Sequence, residues 1–182
     1  MSSENPTGAG NQQERPSSSD WLDAIPLDLG HYIAGFVDGE GSFNVPIRRE
    51  RDRGLPWRVS LSFNVSQLGP EAPSLLRQVF GVGTVRGRGD GVFYFEVTRP
   101  SELEARVFPF FERFPLVGSK AQDFHAWRQA IAILQRGRLS ESDLATVLAL
   151  REGMNRGGKR RHRMDGILRD YTPTLPAEQR AG

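Results

Sequence analysis

One segment in the first quarter of the chain constrains the fold more than any other. Its apolar residues fall three or four positions apart, the spacing of one helix face: Leu29, Tyr32, Ile33, Phe36 and Val37. This pattern predicts a helix from about Leu27 to Gly39. A second stripe on the same segment consists of small residues, Ala34, Gly35 and Gly39. Since each glycine inside a helix costs about 1 kcal/mol relative to alanine, we expect the close approach of a second helix to offset that cost.

The predicted helix ends on two carboxylates bracketed by glycines, Asp-Gly-Glu-Gly over residues 38–41. Glu40 lies at the negative end of the helix dipole, where an anion is disfavoured unless a cation binds nearby, and this favours a metal site. Gly41 suits a left-handed C-cap. A surface helix ending in a solvated acidic turn is the alternative. An EF-hand-like calcium loop is excluded, because Phe43 and Arg49 stand where that loop needs glycine and glutamate.

Two long alternating segments follow. Residues 42–49 and 57–67 place apolar side chains on one face and serine, asparagine and arginine on the other. A second predicted pair of strands, 84–87 and 92–98, flanks an Arg-Gly-Asp-Gly turn. The order of helix, two strands, helix, two strands and then helices predicts an α+β fold with one antiparallel four-stranded sheet. A polar face of this composition is a solvent face in most proteins, but beside a basic loop it also suits the reading of base edges.

Capping residues predict the bounds of the remaining helices. The first spans about 72–80 with Gly81 as a left-handed C-cap, and the others begin at the N-caps Ser101, Ser119 and Ser140. Residues 1–20 contain too few apolar side chains to fold and predict a disordered tail. We expect the folded domain to cover 21–153 and a basic, loosely ordered tail to cover 154–182.

Composition bounds the class of protein. The 182 residues suit one domain with tails, and the absence of cysteine excludes disulfides and thiolate metal sites. No apolar run reaches membrane length and no signal peptide is evident, so we expect a soluble intracellular protein without a membrane partner. The chain has 22 arginines and two lysines. This bias suggests a GC-rich coding sequence, and we expect the cytoplasm and nucleoid of a GC-rich prokaryote rather than an organelle.

The helix sequence and its ending resemble the signature motif of the LAGLIDADG homing endonucleases, in the variant that ends Asp-Gly-Glu-Gly. The resemblance extends from about Leu27 to Gly153 and is closest to single-motif, intron-encoded members, because no second copy of the motif occurs. It implies the αββαββα LAGLIDADG fold and a homodimer in which two signature helices cross. The residues that would lie at that dimer interface are Ala34, Gly35, Asp38 and Gly39.

The resemblance also implies an active site. Glu40, with Gly39 beside it, would bind the catalytic divalent ion, which is Mg²⁺ with Mn²⁺ as a substitute, whereas Ca²⁺ would bind without supporting cleavage. Gln67 matches a glutamine that orients solvent, and Lys120 matches the basic residue of the pocket. One departure is that no arginine occurs between Gln67 and Arg77, where close relatives often carry one.

The implied function is a metal-dependent, double-strand cut in a long pseudo-palindromic DNA, leaving 3′ overhangs, with no small-molecule substrate. A cleavage-inactive regulator or an intron maturase on the same fold is the alternative. The candidate DNA-binding residues are the outward-facing side chains of the sheet and of its loop: Asn44, Arg48, Arg58, Ser60, Ser62, Asn64, Ser66, Arg86, Arg88 and Tyr94. Bidentate arginine contacts to guanine would each contribute about 1–3 kcal/mol of base discrimination.

Overall fold

The computed structural model describes residues 20–49, 57–137, 139–155 and 162–170. The strands within these ranges are β1 (Gly41–Asn44), β2 (Ile47–Arg49), β3 (Trp57–Val59), β4 (Ser62–Leu68), β5 (Thr84–Gly87) and β6 (Val92–Val97). The helices are α1 (Asp20–Asp23), α2 (Leu27–Glu40), α3 (Glu71–Phe80), α4 (Pro100–Glu102), α5 (Phe108–Arg113), α6 (Ser119–Leu134), α7 (Glu141–Gly153) and α8 (Met164–Asp170), and a π-helical turn (Leu103–Val107) joins α4 to α5. Helix α2 is the predicted signature helix.

An antiparallel four-stranded sheet in the order β1-β4-β6-β5 confirms the predicted α+β class. The strands β2 and β3 continue the β1–β4 hairpin as a separate two-stranded arm. Asn44 pairs with Ser62 and Ile47 pairs with Val59, so the register is unchanged across the interruption. The interruption falls at Pro46, which has no N–H to donate. Its carbonyl still accepts the Ser60 N–H at 2.9 Å, so the arm stays aligned with the sheet.

One face of the sheet packs against the helices in an aromatic core. The Phe43 and Phe63 rings stack at 5.2 Å between centroids, and Phe111 packs edge-on against both, at 5.7 and 5.6 Å. Trp127 of α6 is fully buried and donates its indole N–H to the Asn44 carbonyl at 2.9 Å. Helix α6 is thereby fixed against β1, next to the end of α2.

A second, smaller apolar cluster anchors the arm. It joins the arm to α7 and α8 and consists of Ile47, Trp57, Leu144, Leu148 and Ile167. Arg49 of the arm also pairs with Asp170 of α8 at 3.5 Å. Residues 164–170 therefore form a packed helix, which differs from the loosely ordered tail expected over 154–182. The expected disordered tail lies outside the described residues, apart from Asp20, which begins α1.

The helix caps differ in part from the sequence predictions. Ser140 and Asp143 form the predicted capping box, and Gly81 has the predicted left-handed φ of 68°. Ser101 and Ser119 are not N-caps, because α4 begins at Pro100, whose fixed φ suits a first turn, and α6 begins at Ser119 itself. These predictions were wrong by one or two positions.

The left-handed conformation predicted for Gly41 is also wrong, since its φ is −77° and its ψ is 158°. Glycine is required there for space rather than for conformation. A Cβ at this position would lie 2.5 Å from Val37 Cγ1 and 2.6 Å from the Val37 carbonyl oxygen. The chain can therefore leave α2 and enter β1 without an intervening loop.

Within the described ranges, no helix combines the length and apolarity needed to cross a bilayer.

Candidate active site and nucleic-acid interface

Helix α2 presents different residues to the core and to the surface. Gly30, Ile33, Ala34 and Val37 are buried against the rest of the protomer. Ala34 is only 3% exposed and faces the core, as Gly30 and Val37 do, so little of it is accessible for the dimer interface, which stays a prediction. Gly35 and Gly39 are exposed, and a Cβ at either position would meet nothing within 4 Å.

Aromatic side chains extend this exposed surface of α2. Tyr32 is 57% exposed, and its ring stacks on Phe36 at 6.4 Å between centroids. Together with Gly35 and Gly39 they form an exposed stripe, which we call the α2 stripe. Large apolar side chains at the surface often mark contact surfaces, and the glycines leave room for another backbone. The arrangement supports the predicted interface for the glycines but not for Ala34.

Asp38 acts within the protomer instead. Its carboxylate accepts the backbone N–H groups of Val117 at 2.7 Å and Gly118 at 3.1 Å. These bonds tie the end of α2 to the beginning of α6. Asp38 is half-buried and forms a clamp inside the protomer, while its place at a dimer interface stays a prediction.

Glu40 is the last residue of α2 and is exposed, as is Gly39 before it. The carboxylate therefore stands beside the unpaired carbonyl groups at the helix C-terminus, where the helix dipole is negative. The Glu40 carboxylate and the last backbone carbonyl groups of α2 place several oxygen atoms at this point, and both Gly39 and Glu40 are exposed. Such a donor set suits a hard divalent cation.

Gln67 lies at the same end of the sheet as Glu40. Gly41 pairs with Val65 in the β1–β4 register, so Gln67 extends two residues beyond the start of β1. It is half-buried and lies on the helix-facing side of the sheet, opposite Phe93 of β6. The antiparallel pairing thus brings the ends of α2 and β4 together.

Lys120 reaches the same region from the first turn of α6. Its ammonium group donates to Asn155 Oδ1 at 3.4 Å, and that oxygen lies 3.5 Å from Ser42 Oγ. The Asn155 amide in turn donates to the Phe43 carbonyl at 2.8 Å. The lysine is therefore held beside the first residues of β1. The predicted catalytic residues come from α2, β4 and α6 and converge on one end of the sheet.

Sequence reasoning missed two residues of this site, Asp123 and Asn155. Asp123 is 8% exposed, lies 3.7 Å from Lys120 Nζ and accepts the Asn155 N–H at 3.0 Å. Asn155 follows α7 with a left-handed φ of 50°, which asparagine tolerates better than most residues. The spacing of Lys120 and Asp123 by one helical turn was a visible signal. The contact with Asn155 was not, since it joins residues far apart in the chain.

The predicted DNA-binding residues share the face of the sheet opposite the core. The register places Arg48 opposite Arg58 in the arm, and Tyr94 between Ser66 and Arg86 in the sheet. The same alternation brings Asn44, Ser60, Ser62 and Asn64 to this face, which we call the polar face. Arg88 lies in the turn beyond β5 and pairs with Asp90 at 3.4 Å. Ser62 is only 5% exposed, although it lines a groove on this face, and its role as a DNA reader stays a prediction.

The arm carries positive charges at opposite positions of its two strands. Arg48 and Arg58 are register partners and both are exposed, so they concentrate positive charge on this part of the surface. They line a groove of about 530 Å³ together with Ser60, Ser62 and Glu96. A groove lined by several arginine side chains is typical of an anion-binding surface.

The sequence model of the LAGLIDADG endonuclease family matches residues 33–131, which include most of α2, the whole sheet and most of α6. The chain belongs to this family. Probable intron-encoded endonuclease 3 of Neurospora crassa is 29% identical over 129 residues, which make up 68% of this chain and 24% of that protein. The predicted resemblance to single-motif homing endonucleases is confirmed.

Solved structures of homing endonucleases are similar to this chain. The homing endonuclease I-TnaI has a TM-score of 0.65 and 32% identity over 70% of this chain and 88% of its own. The meganuclease I-SmaMI, bound to uncleavable DNA, has a TM-score of 0.67 and 28% identity over 73% of this chain and 46% of its own. The chain therefore spans most of I-TnaI, but only about half of I-SmaMI and about a quarter of the Neurospora protein.

The prediction of a cytoplasmic protein in a GC-rich prokaryote is wrong. Relatives from the fungi Neurospora crassa, Schizosaccharomyces pombe and Podospora anserina are encoded in introns and point to an organelle. Arginine bias was a poor guide, because arginine is also selected wherever a protein surface must bind anions.

Proposed function

We propose that this chain is a site-specific DNA endonuclease that acts as a homodimer and cuts both strands of a long pseudo-palindromic duplex. The observation that carries the proposal is the convergence of Glu40, Gln67 and Lys120 at one end of a sheet whose polar face is lined with arginine, serine and asparagine. The catalytic residues and the DNA-binding residues would thus lie on one rigid sheet. The cut would leave 3′ overhangs.

DNA binding would use the polar face. Arginine side chains in the arm and on β5 can contact phosphates or guanine edges, while Asn64, Ser66 and Tyr94 offer shorter polar contacts. A strand ribbon of this kind fits the width of the major groove of B-form DNA. Affinity should fall steeply with salt because phosphate contacts release counterions.

A homodimer would follow from the α2 stripe. One protomer supplies a single motif carboxylate, Glu40, whereas a double-strand cut requires chemistry at two phosphodiester bonds. A twofold axis beside α2 would pair Gly35 and Gly39 with their counterparts and bring both carboxylates together. The same axis would make the recognised DNA a pseudo-palindrome.

The donor set at the end of α2 fits Mg²⁺. This ion prefers oxygen ligands, keeps several waters and uses one or two carboxylates together with substrate phosphates. No cluster of three or more ligating side chains occurs in the described part of the chain, and such an ion does not need one. Glu40 and the Gly39 carbonyl would hold it, with Mn²⁺ as a substitute and Ca²⁺ binding without cleavage. The ion would supply Lewis-acid stabilisation of charge on the cleaved phosphate.

The remaining residues act through position and charge. Lys120 would place a cation beside the phosphate and stabilise the negative charge that develops there. Gln67 would orient the attacking water through its amide. Asp123 and Asn155 hold the lysine, and the Asp38 clamp holds the first turn of α6 against the end of α2. Each task requires a fixed geometry, which these contacts provide.

The experiment that tests this proposal compares the wild type with Glu40→Gln on DNA that carries the rejoined sequence flanking the gene. We expect a double-strand cut that requires Mg²⁺ and is lost in the variant, while the variant still binds the DNA. Glu104→Gln, which changes an exposed carboxylate on the π-helical turn, is the matched control and should cut normally. Tight binding without cutting by any of the proteins would favour a cleavage-inactive regulator or maturase.

A further inference from the structure

The polar face carries arginine side chains, as expected for a surface that binds DNA, but a carboxylate also lies on it. Glu96 is in β6, flanked in the register by Asn64 of β4 and Thr84 of β5. It lines the same groove as Arg48 and Arg58 and is half-buried there. Its carboxylate forms no hydrogen bond or ion pair with any residue in the described ranges.

An unpaired carboxylate on a DNA-facing surface opposes the rest of that surface. It repels the phosphate backbone, so it weakens binding to every sequence alike unless something specific compensates. The carboxylate also adds no ion pair to the stability of the free protein, because no neighbouring arginine of the described structure pairs with it. A base edge that donates a hydrogen bond would compensate for both costs.

The base edges of the major groove differ in what they offer a carboxylate. Guanine presents two acceptors and thymine an acceptor and a methyl group, so both disfavour an oxygen that can only accept. Adenine presents a donor next to an acceptor, and the acceptor opposes a charged oxygen. Cytosine presents its N4 amino group as a donor alone. Among the bases, cytosine therefore matches Glu96 best.

We propose that Glu96 is a specificity-determining residue that selects cytosine at one position of the DNA target. This inference rests on the proposed function, since it requires the polar face to enter a major groove. In a homodimer each copy would read one half of the target, so the preference appears at two symmetry-related positions. Asn64 and Thr84 on either side would contact neighbouring bases or the backbone.

The test replaces the Glu96 carboxylate by an amide of nearly the same shape. In Glu96→Gln the amide presents a donor and an acceptor, which matches the N6 and N7 groups of adenine. We expect the preference at that position to shift from cytosine to adenine by about tenfold, the size of one base contact. Glu96→Ala should lose the cytosine preference without acquiring another. Both variants should bind random DNA more tightly, because a negative charge is removed.

The assay is selection of bound duplexes from a randomised library in EDTA, followed by sequencing, with Glu104→Gln as the charge-matched control. Circular dichroism and thermal melting show that each variant is folded. A cytosine-to-adenine shift at one position in each half-site supports the inference. If both Glu96 variants and the wild type select the same sequence, Glu96 does not read a base, although the proposed function stands. If the wild type selects no sequence at all, both are overturned.

Discussion

Replacement of Asn155 separates backbone strain from side-chain contacts at the centre of the candidate site. The side chain donates to the Phe43 carbonyl at 2.8 Å and accepts from Lys120 at 3.4 Å, while the backbone has a φ of 50°. Asn155→Gly removes the side chain but suits this backbone. Asn155→Ala removes the same contacts and also places a Cβ in the left-handed region, which costs about 1–2 kcal/mol.

The magnitudes follow from these contacts. Loss of the short bond to a half-buried carbonyl, together with the weaker contact to Lys120, should cost about 2 kcal/mol in either variant. Alanine adds its left-handed penalty, and glycine adds about 0.4–1 kcal/mol through the entropy of the unfolded chain. The free energy of unfolding should therefore be lower for Asn155→Ala than for Asn155→Gly, by about 0.8 kcal/mol at the midpoints of these two ranges. Urea unfolding followed by circular dichroism measures this difference.

The same variants report on the site. Lys120 loses a partner in both, so DNA cleavage should slow to a similar extent in the two proteins, despite their different stabilities. If Asn155→Ala proved as stable as Asn155→Gly, the left-handed backbone would not constrain this position. If both variants cut DNA at the wild-type rate, Asn155 would not position the lysine, and this account of the pocket would be refuted.

Three further outcomes are expected. Asp123→Asn should slow cleavage at saturating DNA with little change in binding, because Lys120 loses its anionic partner, and single-turnover kinetics measure this. Ser140→Ala should lower the free energy of unfolding by about 1 kcal/mol through loss of an N-cap. The Ser140 side chain, and then its backbone N–H, hold the pKa of Asp143 below its usual 3.8, because both donate hydrogen bonds to the carboxylate. The stability that these bonds give to the ionised carboxylate is therefore present above pH 3.8 and is lost as the pH falls through the lowered pKa. Gly35→Leu should leave the fold intact but produce monomers in light scattering, since its side chain would occupy the space for a second helix.

Each of these outcomes has a result that would contradict it. Normal turnover in Asp123→Asn would show that Asn155 alone holds the lysine. An unchanged acid unfolding profile in Ser140→Ala would mean that the hydroxyl does not influence Asp143. A dimer of normal affinity in Gly35→Leu would move the interface away from the α2 stripe.

Patterns among neighbouring residues were sufficient to predict much of the fold. The alternation along residues 57–67 identified the polar and apolar faces of β4, because side chains alternate strictly in a strand. The Asp-Gly-Glu-Gly ending located the end of α2, and the capping box at Ser140 located the start of α7. These features depend on residues close together in the chain, so the sequence determines them directly.

Features that depend on tertiary packing were missed. The rotation of α2 about its axis decides that Ala34 faces the core and Gly35 the surface, and the stripe of small residues is compatible with either. Asp123 and Asn155 come from α6 and from the segment after α7, and only their packing beside Lys120 gives them a role. Ser62 has the alternation of an exposed residue, but in the folded protomer only 5% of its surface is exposed.

Anomalous scattering from Mn²⁺, in a crystal of the protein bound to its DNA target, would locate the metal and the subunit interface together. We expect manganese peaks against the Glu40 carboxylates of two subunits related by a twofold axis beside α2, adjacent to the phosphates that are cut. Manganese bound elsewhere, or a complex without contact between the two α2 helices, would contradict this expectation.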